Sequence, residues 1–153
     1  MVKTMDIIDA VMREFNRCMP GAEIYLGRIG DDCSFPAFLF IIVYDGGERS
    51  SKYTRDVTVD LQAVYFGKPD GNGNMDFEDK MVTAEKLKVF LNRFKLLVGD
   101  RVLKFDYEMK DADEKLAVFL TFDFKDGVND PEFDEEQARE AAGVLYMNEE
   151  RVV

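Results

Sequence analysis

Two sets of residues in this chain have the types and spacing to do chemistry. Asp70, Asn72, Asn74 and Asp76 stand at alternate positions, the spacing at which oxygen ligands surround a calcium ion in a looped site. Such a loop also needs Gly at its sixth position and Glu at its twelfth, which here are Met75 and Met81. Gly and Asn are also the ordinary residues of a tight turn, so the segment reads as a loop and no metal is assigned to it. The second set joins Pro69-Asp70 to Glu108-Met109-Lys110. Two carboxylates so placed could hold Mg²⁺ while the lysine positions water, the chemistry of a metal-dependent nuclease. Lys104, Asp106, Glu108 and Lys110, however, alternate along one stretch and read as the solvated side of an amphipathic strand.

Histidine is absent. That excludes Ser-His-Asp and Cys-His nucleophile systems and every His-ligated metal site. Cys18 and Cys33 are the only cysteines, too few for a structural zinc site, and in a cytosolic chain they read as thiols in preference to a disulfide. No catalytic residue, metal or cofactor is therefore assigned, and the chain does not read as an enzyme.

At 153 residues, 46% of them hydrophobic, the sequence is long and apolar enough to bury one domain's core. Its longest apolar run, Ala37 to Tyr44, falls far short of the roughly 20 residues that cross a bilayer. The first residues lack the pattern of a signal peptide, so a cytoplasmic location is expected. The net charge is −11, and residues 126–153 carry nine acids against Arg139 and Arg151, −7 of that total. Phosphate binding rests on clustered Lys and Arg, so nucleic acid is not an expected partner.

The elements that would position any site follow from the hydrophobic pattern. A first helix is expected from Met5 to Cys18, N-capped by Thr4, with Ile8, Val11, Met12, Phe15 and Met19 as its apolar stripe. Pro20-Gly21 stops it. A short strand, Glu23 to Ile29, leads into a long hairpin: Ala37 to Tyr44, a loop from Asp45 to Lys52, and a return from Tyr53 to Phe66. Val57, Val59, Leu61 and Ala63 should face inward on that return. After the Gly/Asn loop, a second helix is expected from Phe77 or Thr83 to Val98, with Leu87, Phe90, Leu91, Phe94 and Leu97 buried and Gly99 ending it. A closing hairpin places Leu103, Phe105, Tyr107 and Met109 on one face, turns at Asp111–Glu114, and returns Leu116, Val118, Leu120, Phe122 and Phe124 inward. The fold class is therefore α+β: an antiparallel sheet of about five strands with two helices on one face, in the order α-β-β-β-α-β-β. Residues 1–125 form the domain. Residues 126–153 form an acidic extension, with a helix-favouring stretch between Pro131 and Leu145.

In the hairpin loop, Gly46-Gly47 is followed by Arg49, Lys52, Tyr53 and Arg55, positive charge on an otherwise negative chain. These four are the candidate interface residues: either a solvated tip or an arm that docks on an acidic neighbour.

The order of these segments resembles that of the small tail terminator proteins of contractile-tailed phages and related prophages. The likeness is carried by the Ile-Asp-Ala-Val helix ending in Met19-Pro20-Gly21-Ala22-Glu23-Ile24-Tyr25 and by Phe35-Pro36-Ala37-Phe38 opening the long hairpin. Val57-Thr58-Val59-Asp60-Leu61 before a Tyr-Phe-Gly-Lys turn, and a Leu/Phe-rich helix before the last hairpin, complete it. It spans residues 5 to about 125. The resemblance implies a structural virion protein, located in the tail and assembled in the bacterial cytoplasm. It would form a homo-oligomeric ring, a hexamer in that family, which caps the tail tube protein and offers a surface to the head–tail connector. No cofactor and no membrane belong to that role. Another neck subunit, an intracellular binding adaptor and the nuclease are the alternatives.

Overall fold

The computed structural model describes residues 1–67 and 76–127. The calcium-like positions 70, 72 and 74, Pro69-Asp70 of the nuclease-like set, and the acidic segment from 128 onward lie outside the described residues.

Helix α1 (Thr4–Cys18) starts one residue earlier than expected. Lys3, not Thr4, is its N-cap, and the Lys3 amide donates to Asp6 Oδ2 at 3.1 Å, satisfying one of the otherwise orphaned donors of a helix start. Thr4 instead sends its hydroxyl to Asp45 Oδ2 at 2.8 Å. Ile7, Ile8, Val11 and Phe15 are buried along one stripe, as the 3.6-residue period demands.

The sheet has six strands, not five, and is mixed: β1 (Glu23–Leu26), β2 (Ala37–Arg49), β3 (Thr54–Phe66), β4 (Lys95–Val98), β5 (Arg101–Ala112) and β6 (Lys115–Gly127) lie in the order β1-β2-β3-β6-β5-β4. β1 runs parallel to β2, and every other pair is antiparallel. A parallel neighbour needs a longer return path than a hairpin. Residues 27–36 supply it, beginning at Gly27 with φ +86° and ending at a cis Phe35–Pro36 peptide.

The second helix, α2 (Phe77–Leu91), is shorter than expected. Arg93 and Phe94 fold back on Phe90 and Leu91 through their amides, and Phe94 takes φ +55°. That left-handed residue turns the chain out of the helix. Phe94 then stacks on Tyr107 at 5.5 Å, and Lys95–Val98 becomes β4. Leu97, expected in the helix core, points out of the sheet. Gly99, expected to cap the helix, instead makes the tight β4–β5 turn with φ +64°. Asp113 and Glu114 join β5 to β6, both at positive φ, as a two-residue primed turn requires.

Both helices bury their stripes against one face of the sheet, in a single core that includes Phe38, Phe40, Val59, Leu61, Leu103, Phe105, Leu120 and Phe122. The inward residues expected on β3, β5 and β6 are all buried or half-buried there. Tyr65 is the one fully buried tyrosine among the described residues. Its hydroxyl donates to Asp79 Oδ2 at 2.7 Å. Burial pushes the phenol up to about 12, opposed in part by Thr83, while the Asp79 hydrogen bond and charge add smaller contributions in the same direction as burial. The folded state thus holds this proton more tightly than the unfolded chain. The stabilisation is complete below about pH 10 and is lost as pH rises from there through the folded value. Tyr65→Phe keeps the ring against Phe38 (5.2 Å) and should remove that alkaline slope. Urea unfolding of both proteins between pH 8 and 12 reads it (~ range set by the tyrosine titration), and parallel pH profiles would refute the assignment.

Candidate interaction surfaces

The hairpin arm is longer and its tip tighter than the sequence suggests. β2 does not stop at Tyr44 but pairs with β3 all the way to Arg49, opposite Arg55, so only residues 50–53 form the tip. Ser50 and Ser51 both donate their amides to the Thr54 carbonyl at 3.0 and 3.1 Å, and their hydroxyls meet Thr54 Oγ1. Of the four candidate interface residues, Arg49, Lys52 and Tyr53 stand exposed at this tip, with Arg49 Nη1 donating to the Lys52 carbonyl at 3.2 Å. Arg55 does not join them. It stands directly opposite Asp126 across the β3–β6 pair, 3.9 Å from its carboxylate.

Asp126, which composition assigned to the acidic extension, is instead part of β6 and buried. One carboxylate oxygen accepts from the Val2 amide at 2.7 Å, and the other pairs with Arg101 at 3.1 Å and accepts from the Gly127 amide. Arg101 also donates to the Lys125 carbonyl. Burial by itself would raise the Asp126 carboxyl. The Val2 and Gly127 amides, the amino terminus and Arg101 outweigh it and hold the group below its ordinary 3.8. This cluster ties the start of the chain to the starts of β3 and β5 and to the end of β6. Nothing in the local sequence marks it, because the residue stands among other acids.

The remaining sequence candidates separate. Glu108 and Lys110 share the face of β5 that points away from the helices, but pair with each other at 3.5 Å. The Lys110 ammonium also lies over the Phe119 ring at 5.6 Å. Asp76 is the N-cap of α2, accepting from the Glu78 amide at 3.0 Å. Among the described residues, no group of three or more Asp, Glu, His or Cys side chains is gathered as a metal would need. Cys18 and Cys33 are free thiols, and burial raises the Cys18 pKa.

Two surfaces were not visible in the sequence. β1 pairs only with Ala37–Phe40, so β2 from Ile41 to Arg49 has an open backbone edge among the described residues. A bulge falls there, since Ile42 opposes Leu61 and Tyr44 opposes Asp60. An inserted residue bends and re-aims its strand, and Ile42, Val43 and Tyr44 are 44, 54 and 48% exposed. At the far side of the sheet β4 is the last strand, with its Leu97 carbonyl accepting from Arg13 Nη2 of α1 at 3.4 Å. There Leu97 and Val102 face each other across the β4–β5 pair, 55 and 57% exposed. Separately, a groove of about 290 Å³ runs between α2 and the β5–β6 hairpin, floored by Ala84, Met109 and Leu116 and rimmed by Lys80, Lys88 and Lys110.

No helix among the described residues is long and apolar enough to cross a membrane. In comparison with known proteins, no protein-family model matches the chain and no curated protein matches it.

Proposed function

We propose that this chain is a structural subunit of a phage or prophage tail, closing with copies of itself into a ring that caps the tail tube. The ring stops tube growth and presents a joining surface to the head–tail connector. The observation that supports this reading best is the pair of sheet edges, β2 beyond Phe40 and β4, each carrying exposed apolar residues and without a neighbouring strand among the described residues. Soluble proteins ordinarily blunt such edges with charge or cover them, whereas a subunit built to be joined leaves them for its neighbour. A ring also needs interfaces in which one patch meets a different patch, and the two edges differ in residues and in place. The segment order that resembles the tail terminators, with its long β2–β3 arm, adds to the same reading. Arg49, Lys52 and Tyr53 at the arm's tip are then contacts toward the tube or the next subunit.

The groove beside α2 favours a second reading, a binding adaptor that takes an apolar segment over Ala84, Met109 and Leu116. The two separate in one experiment. Light scattering measures mass with and without purified tail tube protein, and negative-stain microscopy images the mixture. Closed rings, or tubes of capped and limited length, are expected. A monomer that neither binds tubes nor limits their growth would sink the tail reading and leave the adaptor.

A further inference from the structure

Resting on that reading, we infer that copies of this chain join head to tail through their sheets, the open β2 edge of one seating on the β4 edge of the next. One apolar patch lies on β2, beside the terminal β1, and the other on β5 and the terminal β4, toward the opposite end of the strand order. Across β2 and β3, on the face turned from the helices, the flanking charges are Glu48 and Asp60. Glu48 stands opposite another acid, Asp56, which Lys125 already pairs at 2.7 Å, and Asp60 keeps one buried carboxylate oxygen with no hydrogen-bond partner. At the other edge, Lys95 and Lys104 stand opposite each other across β4 and β5, both exposed. Like charges directly opposed across strands are destabilising, so the lysine edge carries a cost within the lone subunit. Seating the carboxylate edge on the lysine edge relieves that cost, gives Glu48 and Asp60 cationic neighbours, and buries Val43 and Tyr44 against Leu97 and Val102. Two-fold pairing of either edge with itself would bring like charges together. A head-to-tail pairing repeats, and closes when the rotation between copies divides a full turn.

Disulfide trapping tests this, in a background with Cys18→Ala and Cys33→Ser. Val43→Cys and Leu97→Cys in one chain should give, on oxidation, a ladder of covalent oligomers ending at the ring. An equimolar mixture of the two single variants should give dimers only, and each single variant alone should stay monomeric. The trapping is run both alone and with tail tube protein, so that assembly requiring the tube is sampled. Efficient dimers from either single variant alone would overturn the inference in favour of two-fold pairing. Rings that form without any 43–97 cross-link would overturn it too, while leaving the ring-forming function standing. A ladder from a protein that never caps tubes would uphold the edge pairing and sink the tail function instead. As an independent reading, Val43→Asp should abolish assembly while leaving the melting temperature of the subunit unchanged. Unchanged assembly would overturn the proposal.

Discussion

Phe15→Ala is expected to cost about 3–5 kcal/mol, the range for deleting a buried aromatic ring, and to leave the subunit barely folded at 37 °C. Phe15 is fully buried and meets three rings from two elements: Phe38 at 5.2 Å and Phe40 at 4.9 Å on β2, and Phe90 at 6.2 Å on α2. All three contacts are edge-on or nearly so, the arrangement in which aromatic quadrupoles attract. The side chain thus keys α1 to β2 and α1 to α2 at once. Removing it opens a cavity with walls on three elements that cannot all relax into it. A domain of this size has a total stability of only about 5–15 kcal/mol, so the loss is a large fraction of the whole. Phe15→Leu keeps most of the volume and should cost about 1.5 kcal/mol or less if neighbours repack. Urea midpoints of the two variants against the parent measure both. A cost below about 1 kcal/mol for the alanine variant would mean that the helical layer is not keyed through this ring. The consequence reaches function, because the β2 strand that Phe15 anchors is the one whose far half offers an open edge.

Asp126→Ala is expected to be the most damaging substitution of a charged residue among those described. The carboxylate is 6% exposed, while the Arg101 and Arg55 side chains keep 37 and 33% of their surface. Breaking a fully buried pair costs about 3–5 kcal/mol. These arginines can recover some water, so about 2 kcal/mol is expected here once that screening is allowed for. The sign of the pH effect follows from the direction of the shift. The folded carboxyl sits below 3.8, so the unfolded chain binds the proton first as acid is added. The stabilisation is complete above the unfolded value, about pH 4, and is lost as pH falls through the lower folded one. Asp126→Asn should therefore flatten the acid limb of a stability profile, with its largest deficit above pH 4 (~ the ordinary aspartate value). Equal acid limbs in the two proteins would show that the cluster is not what holds this end together. The same network moves the end of the domain from residue 125 to at least Gly127, the last residue of β6.

Much of the frame was legible because the patterns that carry it are local. The alternation of Val57, Val59, Leu61 and Ala63, or of Leu103 and Phe105, repeats every two residues and names the buried face before any partner strand is known. The stripe of α1 repeats at 3.6 in the same way, and Pro20-Gly21 marks its end. The α2 stripe shows how such a pattern misleads. Leu87, Phe90, Leu91, Phe94 and Leu97 keep helical spacing straight through the point where the helix stops. The residue that turns the chain there is Phe94, not the Gly or Asn that would have signalled a left-handed position. Stacking on Tyr107 and the carbonyl that accepts the Phe105 amide at 3.0 Å hold that conformation, and both partners are more than ten positions away.

The candidate surfaces were less legible still. Four charged or aromatic residues at a glycine-containing hairpin could be named from the chain. Which of them stays outward depends on Asp126, an acid among acids, reaching back to Arg55 across strands. The parallel β1, the early end of its pairing at Phe40, the bulge after Ile42 and the emergence of β4 as an edge are all outcomes of pairing between distant segments. Residue type and periodicity thus suffice for which faces are apolar, since transfer from water depends on each side chain's own surface. Which backbone edges are left open depends on how far each strand finds a partner, a property of strand lengths meeting in space that no short window of residues contains.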